Sequence, residues 1–127
     1  MGETNNKATV QKILQAAMTK DWDEWAKHFH EDLVIDWPQS GERVEGRDTA
    51  TELHSNVPDD GASGELLSVR GEGDLVVSEV KLRYGDGSTW FWANIYEFLD
   101  GKVARVTGYF AESTEPPDWR AQWVTKV

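Results

Sequence analysis

Four alternating residues in one strand-like segment are the strongest candidates for chemistry. Trp90, Trp92, Asn94 and Tyr96 are two apart, so a β-strand would place all four on one face. A buried amide without a partner costs about 1–3 kcal/mol, so a plain core seldom sets an Asn among large aromatic side chains. Aromatic walls with a few polar groups are typical of small-molecule sites. We therefore interpret this face as a pocket lining, in which Asn94 donates to a carbonyl or enolate oxygen.

Two titratable residues are candidate proton carriers for such a pocket. His54 falls on a predicted helix near the expected mouth, and histidine exchanges protons near neutral pH. Asp36 ends a short predicted strand, but strand alternation points it away from the pocket unless a bulge shifts the register. A surface histidine and a hydrogen bond at a strand end are the alternatives. With Asn94, either residue would give an acid–base site that needs no cofactor.

Two further tryptophans, Trp25 and Trp37, are expected to face the aromatic strand across the pocket. Ordinary core packing is the alternative for all of these aromatic residues, and an amide satisfied by the backbone or by a neighbouring Tyr is the alternative for Asn94. His28, Glu31 and Asp32 could be taken for a metal-binding cluster, but their spacing matches no metal motif. We predict no metal site and no cofactor.

Length and charge limit the classes of protein to consider. The chain has 127 residues, no cysteine and a formal net charge of −10. The length suits one domain, residues 1–127. Because phosphate binding needs clustered Lys and Arg, the charge argues against nucleic acid or an anionic membrane as partner. No apolar run is long enough to span a membrane, and the polar start lacks a signal region, so we expect a cytoplasmic protein.

Apolar spacing predicts three helices in the N-terminal half of the chain. Their expected spans are 7–18, 22–29 and 49–56, with Thr4 or Asn5, Asp21 and Asp48 as the respective N-caps. A loop at 57–61 follows, and its Pro, Asp and Gly residues suggest a lid or a pocket mouth.

Strand signals dominate the C-terminal half. The expected spans are 33–37, 42–45, 64–70, 75–84, 90–99 and 103–110. Asp100-Gly101, between two β-prone runs, predicts a tight hairpin because both turn positions need φ > 0. Asp118 is expected to cap a short helical turn near the C-terminus. The pattern indicates an α+β cone, with three N-terminal helices packed in the concave face of a strongly bent, mostly antiparallel sheet.

The order of these elements and several local segments resemble the nuclear transport factor 2-like superfamily, in particular its SnoaL-like branch related to polyketide cyclases. The segments that carry the resemblance are Lys20–Trp25, Trp37–Arg43 with Gly46–Asp48, Phe98–Val103 and Gly108–Ala111. The resemblance covers nearly the whole chain and implies the α+β cone. The superfamily includes isomerases, cyclases, dehydratases, epoxide hydrolases and binding modules, so it does not select one function.

Catalytic positions of relatives carry over to this chain only in part. Isomerases of the superfamily have an Asp directly before the proline that ends the first strand; here Trp37 stands there, with Asp36 one residue earlier. The tyrosine of their first helix corresponds to Ile13, and their second oxyanion donor corresponds to Asn94. In epoxide-hydrolase relatives three catalytic positions carry acidic or basic residues. The corresponding residues here are Val80, Leu82 and Gly108, so those catalytic residues are absent.

Two functional classes follow from these observations. The first is a cofactor-independent cyclase, isomerase or hydrolase that acts on a small apolar carbonyl or polycyclic compound. The second is a non-catalytic ligand-binding or assembly module of the same fold. An enzyme needs a titratable group within reach of the pocket centre, and a binding module does not.

The outer sheet face predicts a homodimer. Phe91, Ala93, Ile95 and Leu99 share the second face of the long strand, and in-register pairing would add residues 103, 107 and 109. Monomers seldom expose contiguous apolar patches above a few hundred Å². A two-fold dimer, face to face, would bury this patch on both chains.

Overall fold

The structure, a computed structural model, describes residues 5–58 and 62–127. The elements in chain order are α1 (Asn6–Thr19), α2 (Trp22–Ala26), β1 (Phe29–Trp37), β2 (Glu42–Glu45), α3 (Arg47–Ser55), β3 (Ser63–Glu72), β4 (Leu75–Arg83), β5 (Thr89–Leu99), β6 (Lys102–Glu112) and a 3-10 turn (Asp118–Trp123). The predicted α+β cone is confirmed, with the helices packed on one face of a single six-stranded sheet.

Strands β3 to β6 form the predicted antiparallel meander, and the β5–β6 hairpin is its longest arm. Asp100 and Gly101 both have positive φ, at 52° and 81°, as the hairpin signal requires. The sheet order is β2-β1-β6-β5-β4-β3, in which β1 pairs parallel with β6. This order brings the end of β1 beside the middle of β5 and β6, where the aromatic face lies.

The helices close the concave side of the sheet with a narrow apolar stripe. Val10, Ile13 and Ala16 recur at helical spacing on α1 and are all buried. Asn5 caps the helix with its side chain, and Lys20, with φ of 60°, ends it in the left-handed region. The helix axis therefore lies across the inner sheet face and forms one wall of the interior.

Two helix predictions were wrong at their boundaries. Asp21 caps α2 as expected, but the helix ends at Ala26 and β1 already begins at Phe29, which is fully buried in the core. The backbone of α3 begins at Arg47 after Gly46, whose φ of 94° suits glycine, so Asp48 lies in the first turn and is not the cap.

One residue predicted for the outer face points inward. Val103 pairs with Phe98, yet Arg105 pairs with Glu97, so Ala104 is an extra residue in β6. This bulge places Val103 in the core, with no exposed surface, and leaves Thr107 and Tyr109 on the outer face.

The convex face and the C-terminal segment are exposed. Phe91, Leu99 and Tyr109 lie on the convex face with roughly half of their surface accessible. The C-terminal segment does not cover them, since Trp119 and Trp123 each remain more than 70% exposed. Within the described ranges, no helix is both long and apolar enough to cross a membrane.

Candidate functional site

A cavity of about 620 Å³ lies between the helices and the concave sheet face. Its walls come from α1, α2 and α3, its floor from the inner faces of β1, β4 and β5, and its rim from the segments on either side of residues 59–61. The lining side chains are mainly apolar or aromatic, and among the described ones none is Asp or Glu. Such an interior favours a small neutral ligand over a charged one.

The structure brings together six of the eight predicted site residues. Lining the cavity are Trp25, Trp37, His54, Trp92, Asn94 and Tyr96. Val57 and Pro58 also line it, as a mouth would; the rest of the predicted lid, residues 59–61, lies outside the described residues. The period of two along β5 therefore selected the correct face of that strand.

Trp90 does not line the cavity, contrary to the prediction. It shares the face of Trp92 but lies at the start of β5, where its indole N–H donates to the Ser88 hydroxyl at 3.1 Å. The ring of Phe110 stacks on Trp92 with centroids 4.4 Å apart and contacts Trp90 at 6.2 Å. Trp90 therefore packs against Ser88 and Phe110 at the start of β5, outside the cavity lining.

Asp36 also lies outside the cavity. Its carboxylate accepts from Arg43 Nε at 2.7 Å and from the guanidinium of Arg105. The hydrogen bond from Arg43, aided by the charges of both arginines, lowers the pKa of Asp36. A bulge does occur in the β1–β6 pairing, but it lies between Phe29 and Val34, and Asp36 stays on the face opposite Trp37. Asp36 is thus an ion-pair partner and not a pocket base.

His54 is the titratable imidazole of the cavity. Its Nδ1 lies 2.7 Å from the carbonyl oxygen of Ala50, and since a carbonyl only accepts, Nδ1 carries the proton. The other ring nitrogen, Nε2, therefore keeps its lone pair, and the described residues supply no hydrogen bond to it. Burial lowers the pKa of His54, an effect opposed by the hydrogen bond to Ala50. The ring is a neutral base at neutral pH.

The remaining histidines are engaged elsewhere. His28 pairs with Glu24 at 2.9 Å, and His30 donates to the carbonyl of Leu99 at 2.7 Å. Neither lines the cavity. Within residues 5–58 and 62–127, no group of three or more His, Asp or Glu side chains is arranged to hold a metal ion.

Asn94 lies at the centre of the sheet floor. It pairs with Ser78 of β4 and Gly108 of β6, so these three positions form a row across the inner face. A Cβ at Gly108 would lie only 2.8 Å from Asn94 Oδ1 and 3.2 Å from Trp37 Nε1. The lack of a side chain at Gly108 therefore lets the Asn94 amide and the Trp37 indole come together on the floor.

Two tyrosines add phenol groups to the lining. Tyr96 is buried and its hydroxyl accepts from Ser78 Oγ at 3.3 Å. Burial raises its pKa, while the hydroxyl of Ser78 and the amide of Asn94 oppose that rise. Both phenols are therefore neutral at neutral pH, since burial also raises the pKa of Tyr84.

Tyr84 was missed by the sequence analysis. It follows Val80 and Leu82 at intervals of two, so the alternation of β4 carried the signal that places it on the inner face. The indole N–H of Trp92 faces the Tyr84 phenol closely enough to influence its pKa, yet it is buried without a hydrogen bond of normal geometry. Trp22 also borders the cavity and meets Trp25 edge to face at 5.8 Å.

Comparison with known proteins agrees with this fold. The SnoaL-like domain family matches residues 10–106. An NTF2-like protein of unknown function from Burkholderia xenovorans LB400 is 34% identical, with a TM-score of 0.87 over 99% of both chains. A Kribbella flavida DSM 17836 protein, provisionally described as a ketosteroid isomerase, is 28% identical, with a TM-score of 0.87 over 95% of this chain and 88% of that one.

More distant structures share the fold alone. The structure of an LEH-like epoxide hydrolase from M. tuberculosis is 21% identical, with a TM-score of 0.72 over 87% of this chain and 86% of that one. No curated protein matches the chain. On the family match and the 34% identity over nearly its full length, the chain belongs to the SnoaL-like domain family of the nuclear transport factor 2-like superfamily.

Proposed function

We propose that this protein binds a small apolar organic molecule in the cavity and catalyses a cofactor-independent proton transfer on it, of the isomerase or cyclase type. The observation that carries the proposal is the state of His54. Its Nδ1 proton is held by Ala50, which leaves Nε2 as a lone-pair base in a largely apolar cavity. A base of lowered pKa in a largely apolar interior suits the removal of a proton from carbon.

The reaction that fits this arrangement begins at a carbon next to a carbonyl group. His54 Nε2 takes the proton, the C–H electron pair moves into the carbonyl, and an enolate oxygen results. On the floor, the indole N–H of Trp37 donates to this oxygen, and Asn94 lies beside it. Return of the proton from the imidazolium to another carbon completes an isomerisation with no net gain or loss of atoms.

The comparisons give this proposal limited support. The Kribbella flavida relative, provisionally described as a ketosteroid isomerase, shares 28% of its residues with this chain over most of both lengths. An epoxide hydrolase is less favoured, because Val80 and Leu82 line the cavity where the corresponding relatives carry charged residues, and Gly108 stands at the third such position.

A second candidate is a non-catalytic ligand-binding module. The observation that favours it is the lack of any carboxylate among the described lining residues, since many acid–base sites combine two titratable groups. In that case the cavity would bind an apolar molecule without changing it, and His54 would only shape the wall.

Deuterium exchange distinguishes the two candidates. We would incubate 2-tetralone, an apolar bicyclic ketone, with the protein in D2O and follow loss of its α-protons by NMR. Catalysis predicts exchange faster than in buffer, reduced about 100-fold or more in His54→Gln. His30→Gln, outside the cavity, is the matched control and should exchange like the unmodified protein. Binding of the ketone without accelerated exchange would support the binding module.

A further inference from the structure

The backbone conformation at position 108 does not explain why this residue is a glycine. Gly108 lies opposite Asn94 in the β5–β6 pair, and its φ is outside the positive region that favours glycine. Any residue could adopt this conformation, so the constraint is space. The space is taken by Asn94 Oδ1 and by the pyrrole edge of Trp37, whose Cδ1 and Nε1 would lie 3.1 and 3.2 Å from a Cβ.

The two groups that meet there have opposite hydrogen-bonding character. The indole Nε1–H of Trp37 can only donate, and Asn94 Oδ1 can only accept. The atom of Asn94 that faces Gly108 is the amide oxygen. The amide nitrogen is turned toward the Tyr96 phenol, where it opposes the rise in the pKa of that group.

Neither group has its own partner in the described part of the chain, and both residues line the cavity. The two atoms cannot be more than about 6 Å apart, because both lie within 3.2 Å of one point beside Gly108. A single ligand atom with both a proton and lone pairs could therefore satisfy the donor and the acceptor together. Leaving such groups unpaired on ligand binding is unfavourable.

We propose that Trp37 Nε1 and Asn94 Oδ1 together bind a hydroxyl group of the ligand, either phenolic or enolic. The hydroxyl donates to Asn94 Oδ1 and accepts from the Trp37 indole. A ketone or an ether has no proton to donate and satisfies only the indole. The proposal rests on the proposed function, because it concerns the same cavity. It names the substrate class as apolar ring compounds that carry a hydroxyl group or readily form an enol.

Trp37 is then a ligand-contacting residue and not only an aromatic wall. The pair would bind the enol of a ketone more tightly than the ketone itself, because only the enol meets both atoms. That preference would assist the proton transfer assigned to His54, which passes through an enolate or enol.

Equilibrium binding of four matched probes tests the assignment. The probes are 2-naphthol, 2-methoxynaphthalene, 2-acetylnaphthalene and naphthalene, measured by calorimetry at neutral pH. We expect 2-naphthol to bind at least about tenfold more tightly than 2-methoxynaphthalene, since one satisfied hydrogen bond of about 1.4 kcal/mol corresponds to tenfold. Trp37→Phe and Asn94→Leu should each reduce that ratio to below about threefold.

Trp22→Phe is the matched control, because it removes an indole N–H from another part of the same cavity wall and should keep the full ratio. Equal affinity for 2-naphthol and 2-methoxynaphthalene in the unmodified protein would overturn the proposal without any variant. Tighter binding of 2-acetylnaphthalene than of 2-naphthol would also overturn it, since it would mean that the floor presents donors only. Because the readout is binding, a protein that fails the exchange assay can still pass this one.

Discussion

The imidazole of His54 lies against the indole of Trp25, with ring centroids 4.8 Å apart and planes inclined by 35°. Trp25 is almost fully buried and packs in turn on Phe29 at 4.2 Å. The histidine is therefore held by the core on one side and by its own helix through Ala50 on the other. A base so fixed has one nitrogen for the cavity and little freedom to turn, which is the preorganisation that catalysis requires.

The pH dependence of the exchange reaction should report the lowered pKa of His54. The neutral imidazole is the active form, so protonation at low pH removes activity. Because burial lowers the pKa below its ordinary value of 6.5, kcat/KM should fall to half of its plateau only at a pH below 6.5. Initial rates of deuterium exchange across pH 4.5 to 8 check this. A half-maximal rate at or above pH 6.5 would contradict the assignment of His54 as the base.

Asp36→Asn should weaken the fold and leave the cavity unchanged. The carboxylate pairs with Arg43 and Arg105 on the outer side of β1, and these contacts lower its pKa. A lowered folded-state pKa gives stability that is present above the ordinary value of 3.8 and is lost as the pH falls through the folded-state pKa. The urea midpoint of Asp36→Asn should therefore be lower at pH 7, with the difference vanishing at strongly acidic pH.

The matched control for this change is Asp32→Asn, which removes an exposed carboxylate from the same strand and should leave the midpoint unchanged. The affinities of Asp36→Asn for the probes should stay within about twofold of those of the unmodified protein, because Asp36 does not line the cavity. A large loss of ligand affinity in Asp36→Asn would mean that the residue acts in the cavity after all.

Gly108→Ala should disturb the site more than the fold. The added methyl would meet Asn94 Oδ1 at 2.8 Å and the Trp37 indole at 3.1 Å, so one of them must move. We expect a loss of about 1–3 kcal/mol in the free energy of unfolding and a loss of the preference for 2-naphthol. Denaturant melts and calorimetry measure the two effects.

A double-mutant cycle identifies the cause of the Gly108→Ala effect. If the methyl acts by displacing the amide, Gly108→Ala should cost less in an Asn94→Ala background than alone, because the 2.8 Å contact is already gone. Fully additive free energies would instead show that the methyl acts through its other close neighbour, Trp37.

We propose that the protein is a homodimer joined through the outer sheet face. Phe91 and Tyr109 are each more than 40% exposed there and border a shallow groove of about 360 Å³. Exposed apolar patches of this kind mark interaction surfaces, and a two-fold contact buries the same patch twice. Light scattering at micromolar concentration should give twice the chain mass of 14.4 kDa.

Tyr109→Glu should convert the dimer to a monomer, because it places a charge in the buried contact. Trp119→Glu is the control, since this side chain is even more exposed than Tyr109 and lies on the C-terminal segment. Dissociation by Trp119→Glu but not by Tyr109→Glu would assign the interface to the C-terminal segment.

Local patterns in the sequence were sufficient to predict much of the fold. Asp100-Gly101 predicted the hairpin because its positive φ values are a property of two residues. The alternation along β5 predicted which face carries Trp92, Asn94 and Tyr96, because successive strand side chains must point to opposite sides. These features depend on neighbours in the chain and need no knowledge of the rest.

Other features depend on contacts between distant segments, so only the tertiary structure decided them. Trp90 has the same alternation as Trp92, but it packs against Ser88 and Phe110 instead of lining the cavity, and no local signal shows which residues of one strand face border a cavity. The bulge at Ala104 turned Val103 inward, because pairing across the hairpin absorbed an extra residue that the strand pattern does not reveal.

The chemistry of the site also depends on contacts between distant segments. The neutrality of His54 follows from burial beneath Trp25, which outweighs the opposing effect of its bond to Ala50, and the role of Gly108 follows from the approach of Trp37, 71 positions earlier in the chain. The sequence by itself determined which residues form the strands and which face is aromatic, since the backbone imposes both locally. Only the tertiary structure decided which polar atoms meet in the cavity, because that depends on how far separate elements approach one another in space.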